Sequence, residues 1–366
     1  MGFILRKIII VLFLLAFIFN VIMFLYMFMP EVLPWVEVRN IKPIPLDESY
    51  KDLKSFEVEF LGWVVDYDPN SIAVFYDKHD RFTWVSPVWY YIDENFSLIE
   101  RTYVEELVYK CREWGVKVLP LIANKGFKRD LIHKILSDPD IRDKVIDDIV
   151  KLVIKRGYDG VNIDFENIPP EDRDNLTEFM RLLYLKLKEY DKIVSIDVVA
   201  KTSETYSGWS GAYDYSALAN YTDLFIIMIY DYHYSGSQPG PISPINWFRK
   251  VLEYALSTVP KEKIVAGIPF YGYDWPIGGR GKGVSFNQSI SLAEKYGAKI
   301  VFDLNSGEAT FKYRLNSEEH EVWFQTAKST ELRISIAVEM GIYKFAAWRI
   351  GHEDPRTWDV IKRKSN

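Results

Sequence analysis

From about Phe56 onward, apolar runs of six to eight residues alternate with longer stretches whose apolar positions recur every three or four residues. The short runs are Val58–Val65, Phe82–Val88, Val116–Ile122, Gly160–Phe165, Ile193–Val199, Leu224–Tyr230, Ile264–Phe270 and Tyr343–Trp348, and each reads as a strand. Tyr103–Trp114, Ile141–Arg156, Glu171–Tyr190 and Ile245–Thr258 read as helices, with another starting near Ala327. In the third of these, Leu176, Phe179, Met180, Leu183 and Leu187 line one face. Strands alternating with helices predict a parallel sheet, and eight of them in about 300 residues predict an α/β fold of the closed (β/α)8 TIM-barrel type. A doubly wound open sheet is the alternative. It would carry a glycine-rich phosphate loop after its first strand, and Trp63-Val-Val-Asp-Tyr-Asp-Pro69 is nothing like one.

The rhythm breaks once. More than fifty residues separate the seventh strand from the helix near Ala327. They hold a turn with Gly278, Gly279, Gly281 and Gly283, a helical piece at Asn287–Tyr296, and strand-like runs at Ile300–Leu304 and Glu321–Gln325. Structureless loops of that length are rare, so residues 272–326 are expected to form a small α+β insertion on the barrel.

The N-terminus follows a different pattern. Ile8–Met29 is 22 residues long, with Asn20 the break in an apolar run, and Arg6 and Lys7 precede it. As a helix it would span roughly 33 Å against a hydrocarbon core of about 30 Å. The basic flank places the N-terminus in the cytoplasm and the rest outside. A cleaved signal peptide is the rival, but it would end in small residues, and Phe24–Met29 is bulky throughout. Residues 1–30 are therefore expected to be a single-pass membrane anchor, 31–55 an extended linker broken by Pro34, Pro43 and Pro45, and 56–366 the barrel. Arg6 stands where a myristoylation signal needs Ser or Thr. The sequons at Asn95, Asn175, Asn220 and Asn287 matter only in a host that glycosylates.

Composition narrows the function. The 48% apolar and 26% charged residues are those of a folded globular chain, and a net charge of -6 offers no footprint for nucleic acid. The one cysteine, Cys111, supports neither a disulfide framework nor a thiolate metal site. No metal or cofactor is implied. An aromatic content of 16% suits either a barrel core or a sugar-binding surface.

The stretch that carries chemistry is Asp159-Gly-Val-Asn-Ile-Asp-Phe-Glu-Asn167. In an extended chain Asn162, Asp164 and Glu166 share one face, and Val161, Ile163 and Phe165 the other. Two neighbouring, near-buried carboxylic acids cost several kcal/mol unless partnered. In a barrel they would stand at the C-terminal end of strand four, where active sites are built. Other strand ends bring Trp89, Asn124, Met228, Tyr230, Asp231, Tyr271 and Trp348, polar and aromatic groups that converge as a sugar pocket needs and that, with Asn162, are expected to touch substrate. A carboxylic acid at the lip of an apolar pocket beside a second carboxyl stays protonated and can donate to a leaving oxygen. Asp164 and Glu166, however, reach the same side of a substrate, about 6.5 Å apart along a strand. If a sugar is cleaved here, the nucleophile comes from elsewhere.

DGVNIDFEN resembles the DGxDxDxE signature of glycoside hydrolase family 18, the chitinase-like barrels. MIYDYH at 228–233, GIPFYGYDW at 267–275 and KFAAWRIGHEDPR at 344–356 are similar to that family's motifs on strands six, seven and eight, and the likeness runs from about Phe56 to Val360. The wording DFENIPPEDR resembles the bacterial branch of spore-cortex and peptidoglycan N-acetylglucosaminidases. The resemblance implies substrate-assisted retaining hydrolysis of β-linked N-acetylglucosamine. The substrate's own 2-acetamido oxygen would attack, Glu166 would be acid then base, Asp164 would orient the acetamido group, and Tyr230 would hydrogen-bond its oxygen. Asp231 would line the subsite, Trp348 would floor the ring, and Asp159 would order the strand from behind. Asn162 departs from the pattern, which commonly has Asp there, so Asp164 is expected to couple mainly to Glu166. The implied partner is an acetamido-sugar polymer. A non-catalytic sugar-binding relative is the alternative, but such proteins usually lose the acid. A scaffold on a spent barrel is the third possibility.

Overall fold

The structure, a computed structural model, describes residues 44–364. The apolar run 8–29 lies outside the described residues, and among those described no helix is long and apolar enough to cross a membrane. Eight parallel strands form the core: β1 (Phe56–Val64), β2 (Trp84–Pro87), β3 (Lys117–Val118, resuming at Leu121–Asn124), β4 (Gly160–Asp164), β5 (Ile193–Val199), β6 (Leu224–Met228), β7 (Ile264–Pro269) and β8 (Lys344–Trp348). Each pairs in parallel with the next, and β8 pairs back with β1, so the ring closes as a TIM-barrel-like fold. Strand β3 is interrupted at Leu119-Pro120, because proline has no N–H for the ladder. Its first half pairs with β2 and its second half with β4.

Two apolar layers hold the ring. Leu61, Trp63, Trp84, Leu121, Leu224, Ile226 and Val265 fill the interior. The opposite faces pack beneath helices that include Pro139–Arg156, Arg173–Lys188 and Ile245–Thr258. The expected face of Arg173–Lys188, with Leu176, Phe179, Met180, Leu183 and Leu187, is fully buried. Each such side chain contributes about 2 kcal/mol of burial energy. Gly160 is needed at the start of β4, since a Cβ there would lie 2.1 Å from the Ile193 carbonyl of β5.

Several boundaries differ from those expected. Tyr90–Ile92 forms a hairpin with Leu98–Glu100 and extends the ring beside β3, where the sequence suggested only the end of strand two. Strand β4 stops at Asp164, so Phe165 and Glu166 leave the ladder. Between β7 and the helix Ala327–Glu339 lies an antiparallel sheet in the order Ile44–Pro45, Val301–Asp303, Glu308–Leu315, Glu318–Phe324, Gly272–Pro276, Lys282–Val284. Its helix, Phe286–Tyr296, starts at a capping box of Ser285 and Gln288. The long hairpin turns at Asn316-Ser317, both with positive φ. Its exposed face is densely charged, which hid most of its length from a search for apolar runs. The described end of the stretch read as a linker is docked. Ile44–Pro45 is the edge strand, Leu46–Ser49 is a helical turn, and the Arg356 guanidinium lies 3.5 Å from the Tyr50 ring centroid. A two-residue edge strand has no periodicity to read.

Candidate active site

The face alternation expected of residues 160–166 holds. Val161 and Ile163 are buried in the outer layer, and Phe165 packs on Phe179 of the covering helix at 5.2 Å between centroids. Asn162 and Asp164 therefore point into the ring. Glu166 stands just beyond the last ladder bond and is positioned through its backbone. Its N–H donates to Asn124 Oδ1 at 2.9 Å, and its carbonyl accepts from Asn124 Nδ2 at 3.1 Å. The Tyr213 hydroxyl donates to the Phe165 carbonyl at 2.7 Å. A loop residue is thus held at two adjacent peptides, which leaves the Glu166 carboxyl free for chemistry.

Glu166, Asp164, Tyr230, Asp231, Met228, Tyr271 and Trp348 all line one cavity of about 370 Å³. The Trp348 ring meets Trp63 edge-on at 6.0 Å and forms part of the apolar wall. Asp231 has a left-handed backbone, φ 58°, which a short polar side chain tolerates. It accepts hydrogen bonds from the hydroxyls of Tyr271 and Tyr273. A second cavity of about 560 Å³ shares Glu166, Met228, Tyr230 and Asp231 with the first and is walled by Trp209, Tyr232, Tyr234 and Trp247. The cleft thus has two lobes that meet at Glu166.

Three residues expected to touch substrate are placed otherwise. Trp89 is fully buried and packs on Tyr103 at 5.8 Å, a core contact. Asn124 is buried and serves the Glu166 backbone. Asn162 is buried inside the ring, where its Nδ2 donates to Asp197 Oδ2 at 2.8 Å and its Oδ1 accepts from Ser195 Oγ at 2.7 Å. Asp159 sits at the start of β4, and its Oδ2 accepts from the Val118 N–H at 2.8 Å, tying β4 to β3.

The residue that sequence reasoning missed is Asp197. It lies on β5, is 1% exposed and lines the first cavity. Burial pushes the carboxyls of Asp164, Asp197 and Glu166 well above their ordinary range. Asp197 adds to the rise of Asp164, Glu166 adds to that of Asp197, and Asp164 with Asp231 adds to that of Glu166. The Asn162 amide opposes the rise at Asp197. So Asp164 couples to Asp197 as well as to Glu166. A signal for this was present. Ser195 and Asp197 are spaced two apart in the strand Ile-Val-Ser-Ile-Asp-Val-Val, the same inward alternation as Asn162 and Asp164. Asp164 Oδ1 and Asp197 Oδ1 are buried and have no hydrogen-bond partner among the described residues. Leaving such a group unmet costs about 1–3 kcal/mol, and such costs concentrate at functional sites.

Asn162→Asp removes the amide donor to Asp197 and adds a like charge. It is expected to move the alkaline limb of the pH–rate profile upward while activity stays measurable, because Asp197 and, through it, Asp164 and Glu166 hold their protons to higher pH. An unchanged profile would show that Asn162 does not tune the acids.

The sequence model described as glycosyl hydrolases family 18 matches residues 65–353. The chain is 33% identical over 251 residues to the cortical fragment-lytic enzyme of Bacillus anthracis, which covers 67% of this chain and 58% of that enzyme. It is 27% identical over 318 residues to an uncharacterized glycosylase of Bacillus subtilis, covering 84% of this chain and 92% of the relative. Among solved structures, the Bacillus cereus spore cortex-lytic enzyme SleL superposes with a TM-score of 0.77 at 28% identity, covering 86% of this chain and 77% of that one. This chain spans 59% of the length of the Bacillus subtilis cortical fragment-lytic enzyme, which it also matches.

Proposed function

The chain belongs to glycosyl hydrolases family 18, and we propose that it cleaves β-linked N-acetylglucosamine-containing polysaccharide of the peptidoglycan or chitin type by substrate-assisted retaining catalysis. Relatives named for lysis of spore cortex support the substrate class. One observation carries the mechanism. The carboxyls of the first cavity come from β4, β5 and β6 or the residues just past them, while the wall from β8 and the insertion holds Trp348, Arg349, His352, Gly283 and Val284 and no carboxyl. In an eight-stranded ring β8 stands across from β4. A sugar lying on Trp348 therefore meets acids on one side and no protein nucleophile on the other.

The 2-acetamido oxygen of that sugar supplies the missing nucleophile. It attacks the anomeric carbon as the glycosidic oxygen takes the Glu166 proton and departs, which leaves an oxazolinium-type ring. Water then attacks the same carbon, returns a proton to Glu166 and opens the ring with net retention. Asp164, with its unmet oxygen, holds the acetamido N–H and, in its ionised form, balances the positive charge. Tyr230 donates to the acetamido oxygen, and Asp231 completes the subsite. Retention of Glu166, Asp164 and Tyr230 argues against a non-catalytic sugar-binding role.

Paired aryl β-glycosides of chitotriose and cellotriose test the reading. Loss of an intramolecular nucleophile is expected to lower kcat/KM for the cellotrioside by 10³-fold or more, on the order of what a well-placed neighbouring group supplies. Equal turnover of the two would overturn substrate assistance. No turnover of either, nor of peptidoglycan, would overturn the hydrolase reading itself.

A further inference from the structure

The wall across from the acids carries an arrangement that the reaction described above does not use. Arg349 and His352, just past the end of β8, both line the first cavity. Arg349 Nη1 donates to Asp68 Oδ2 at 2.8 Å, and Nη2 lies 2.5 Å from His352 Nε2. The guanidinium sits 5.4 Å from the Tyr67 ring centroid. Asp68 is itself anchored, since its Oδ1 accepts from the Asn70 N–H at 3.0 Å. The loop that bears the pair is pinned. Asn70 Nδ2 donates to the Gly351 carbonyl at 2.7 Å, and Gly351 has φ 95°, with no room for a Cβ beside Ser71. Arg349 and His352 side chains are 9% and 23% exposed, so the cluster is built in advance of any ligand.

The hydrogen-bond chemistry fixes the state of the histidine. A guanidinium has donors only, so Nε2 accepts and the ring proton sits on Nδ1. Burial and the neighbouring Arg349 charge agree with this, bringing the imidazole down to about 4. The imidazole is neutral near pH 7 and keeps one donor, Nδ1–H, which has no acceptor among the described residues. Asp68 offsets the Arg349 charge. The result is a donor-only, nearly neutral wall facing an acid-lined one. Such a wall suits an oxygen that accepts and does not donate. A sugar hydroxyl also carries a proton that this wall has no acceptor for, whereas an acyl carbonyl or carboxylate oxygen accepts without one.

The two lobes meet at Glu166, and Trp348, Arg349 and His352 line the first and not the second, so with the cleaved sugar on Trp348 and its leaving group in the second lobe, we propose that Arg349 and His352 form a recognition site for the acyl oxygen of a substituent on the sugar next to the one that is cleaved, on its non-reducing side. This rests on the hydrolase reading above and deepens it. The acyl group has two sources, the acetamido group of an N-acetylglucosamine ring or the lactyl group of an N-acetylmuramic acid ring. His352 is then a specificity residue, which acts on kcat/KM through the choice of outer ring.

The test uses three aryl disaccharides that share an inner N-acetylglucosamine. Their outer ring is N-acetylglucosamine, N-acetylmuramic acid or a 2-deoxy sugar. The full chain is expected to favour at least one acylated outer ring over the 2-deoxy ring by roughly three- to tenfold in kcat/KM, the effect of one good hydrogen bond. The ring that gains identifies the source. His352→Phe is expected to bring that ratio close to one, and His352→Gln, which keeps an N–H donor, to restore most of it. Thermal unfolding of each variant checks that the fold persists. The proposal is overturned if His352→Phe lowers all three substrates by the same factor, or if the ratio survives in His352→Phe. Failure of the full chain to cleave any of the three would instead overturn the hydrolase reading, and this proposal with it.

Discussion

Glu166→Gln is expected to lower kcat on N-acetylglucosamine oligomers by roughly 10³-fold, within the range that a general acid supplies, with oligomer binding changed only a few-fold. The substitution is close to isosteric. The clamp that positions residue 166 uses its backbone and Asn124, so the amide occupies the same place. What is lost is the proton. In the wild type, burial together with Asp164 and Asp231 keeps the Glu166 carboxyl protonated above the ordinary range, and the rate is expected to fall as pH rises through that elevated value. The same shift sets a stability effect of defined sign. A folded-state pKa above the unfolded one contributes stability that is fully present below the unfolded pKa and is lost as pH rises through the folded one. Glu166→Gln is therefore expected to melt higher than wild type near neutral pH, with a smaller difference in acid. Aryl-glycoside kinetics, oligomer titration calorimetry and melting curves at two pH values check all three. A variant retaining a tenth of wild-type turnover would remove Glu166 from the role of acid.

Asp164→Asn is expected to lower kcat by about 10²- to 10³-fold, the scale of losing one preorganised group at a developing charge, with a smaller change in KM. The reasoning differs from that for Glu166. Asp164 is 8% exposed, and its Oδ1 has no hydrogen-bond partner among the described residues. An asparagine keeps the size and still meets an N–H through its oxygen, but it cannot balance the positive charge of an oxazolinium ring. The loss should therefore fall on kcat. Burial and Asp197 push the Asp164 carboxyl up, so here too the neutral replacement should stabilise the fold as pH rises. A kcat within threefold of wild type, or a loss confined to KM, would show that Asp164 only packs beside the site.

Much of this was legible along the chain. The alternation of Asn162, Asp164 and Glu166 with Val161, Ile163 and Phe165 is a property of extended backbone, and it survives although the ladder ends at Asp164. The helix face from Leu176 to Leu187 and the insertion between β7 and Ala327 could be read for the same reason. Asp197 could have been found from its spacing to Ser195, but one acid in an apolar strand carries no visible link to another strand. Trp89 and Asn124 were misplaced because a strand end offers an aromatic or amide two destinations, the cavity or the packing around it. Trp89 goes to the core beside Tyr103, and Asn124 turns to the Glu166 peptide.

Local periodicity and residue chemistry thus determined the barrel class, the insertion and the acids on strand four, because those properties repeat over short stretches and need no knowledge of distant neighbours. Strand pairing and ring closure decided the rest. Pairing of β3, β4 and β5 brought Asp197 into the site beside Asp164, set Asn162 against Asp197 and aimed Asn124 at the Glu166 backbone, and closure of β8 onto β1 placed the Asp68–Arg349–His352 cluster across from the acids. Each of these contacts joins residues tens to hundreds of positions apart. No one-dimensional pattern encodes such a contact, and its energy exists only once the strands are paired around the ring.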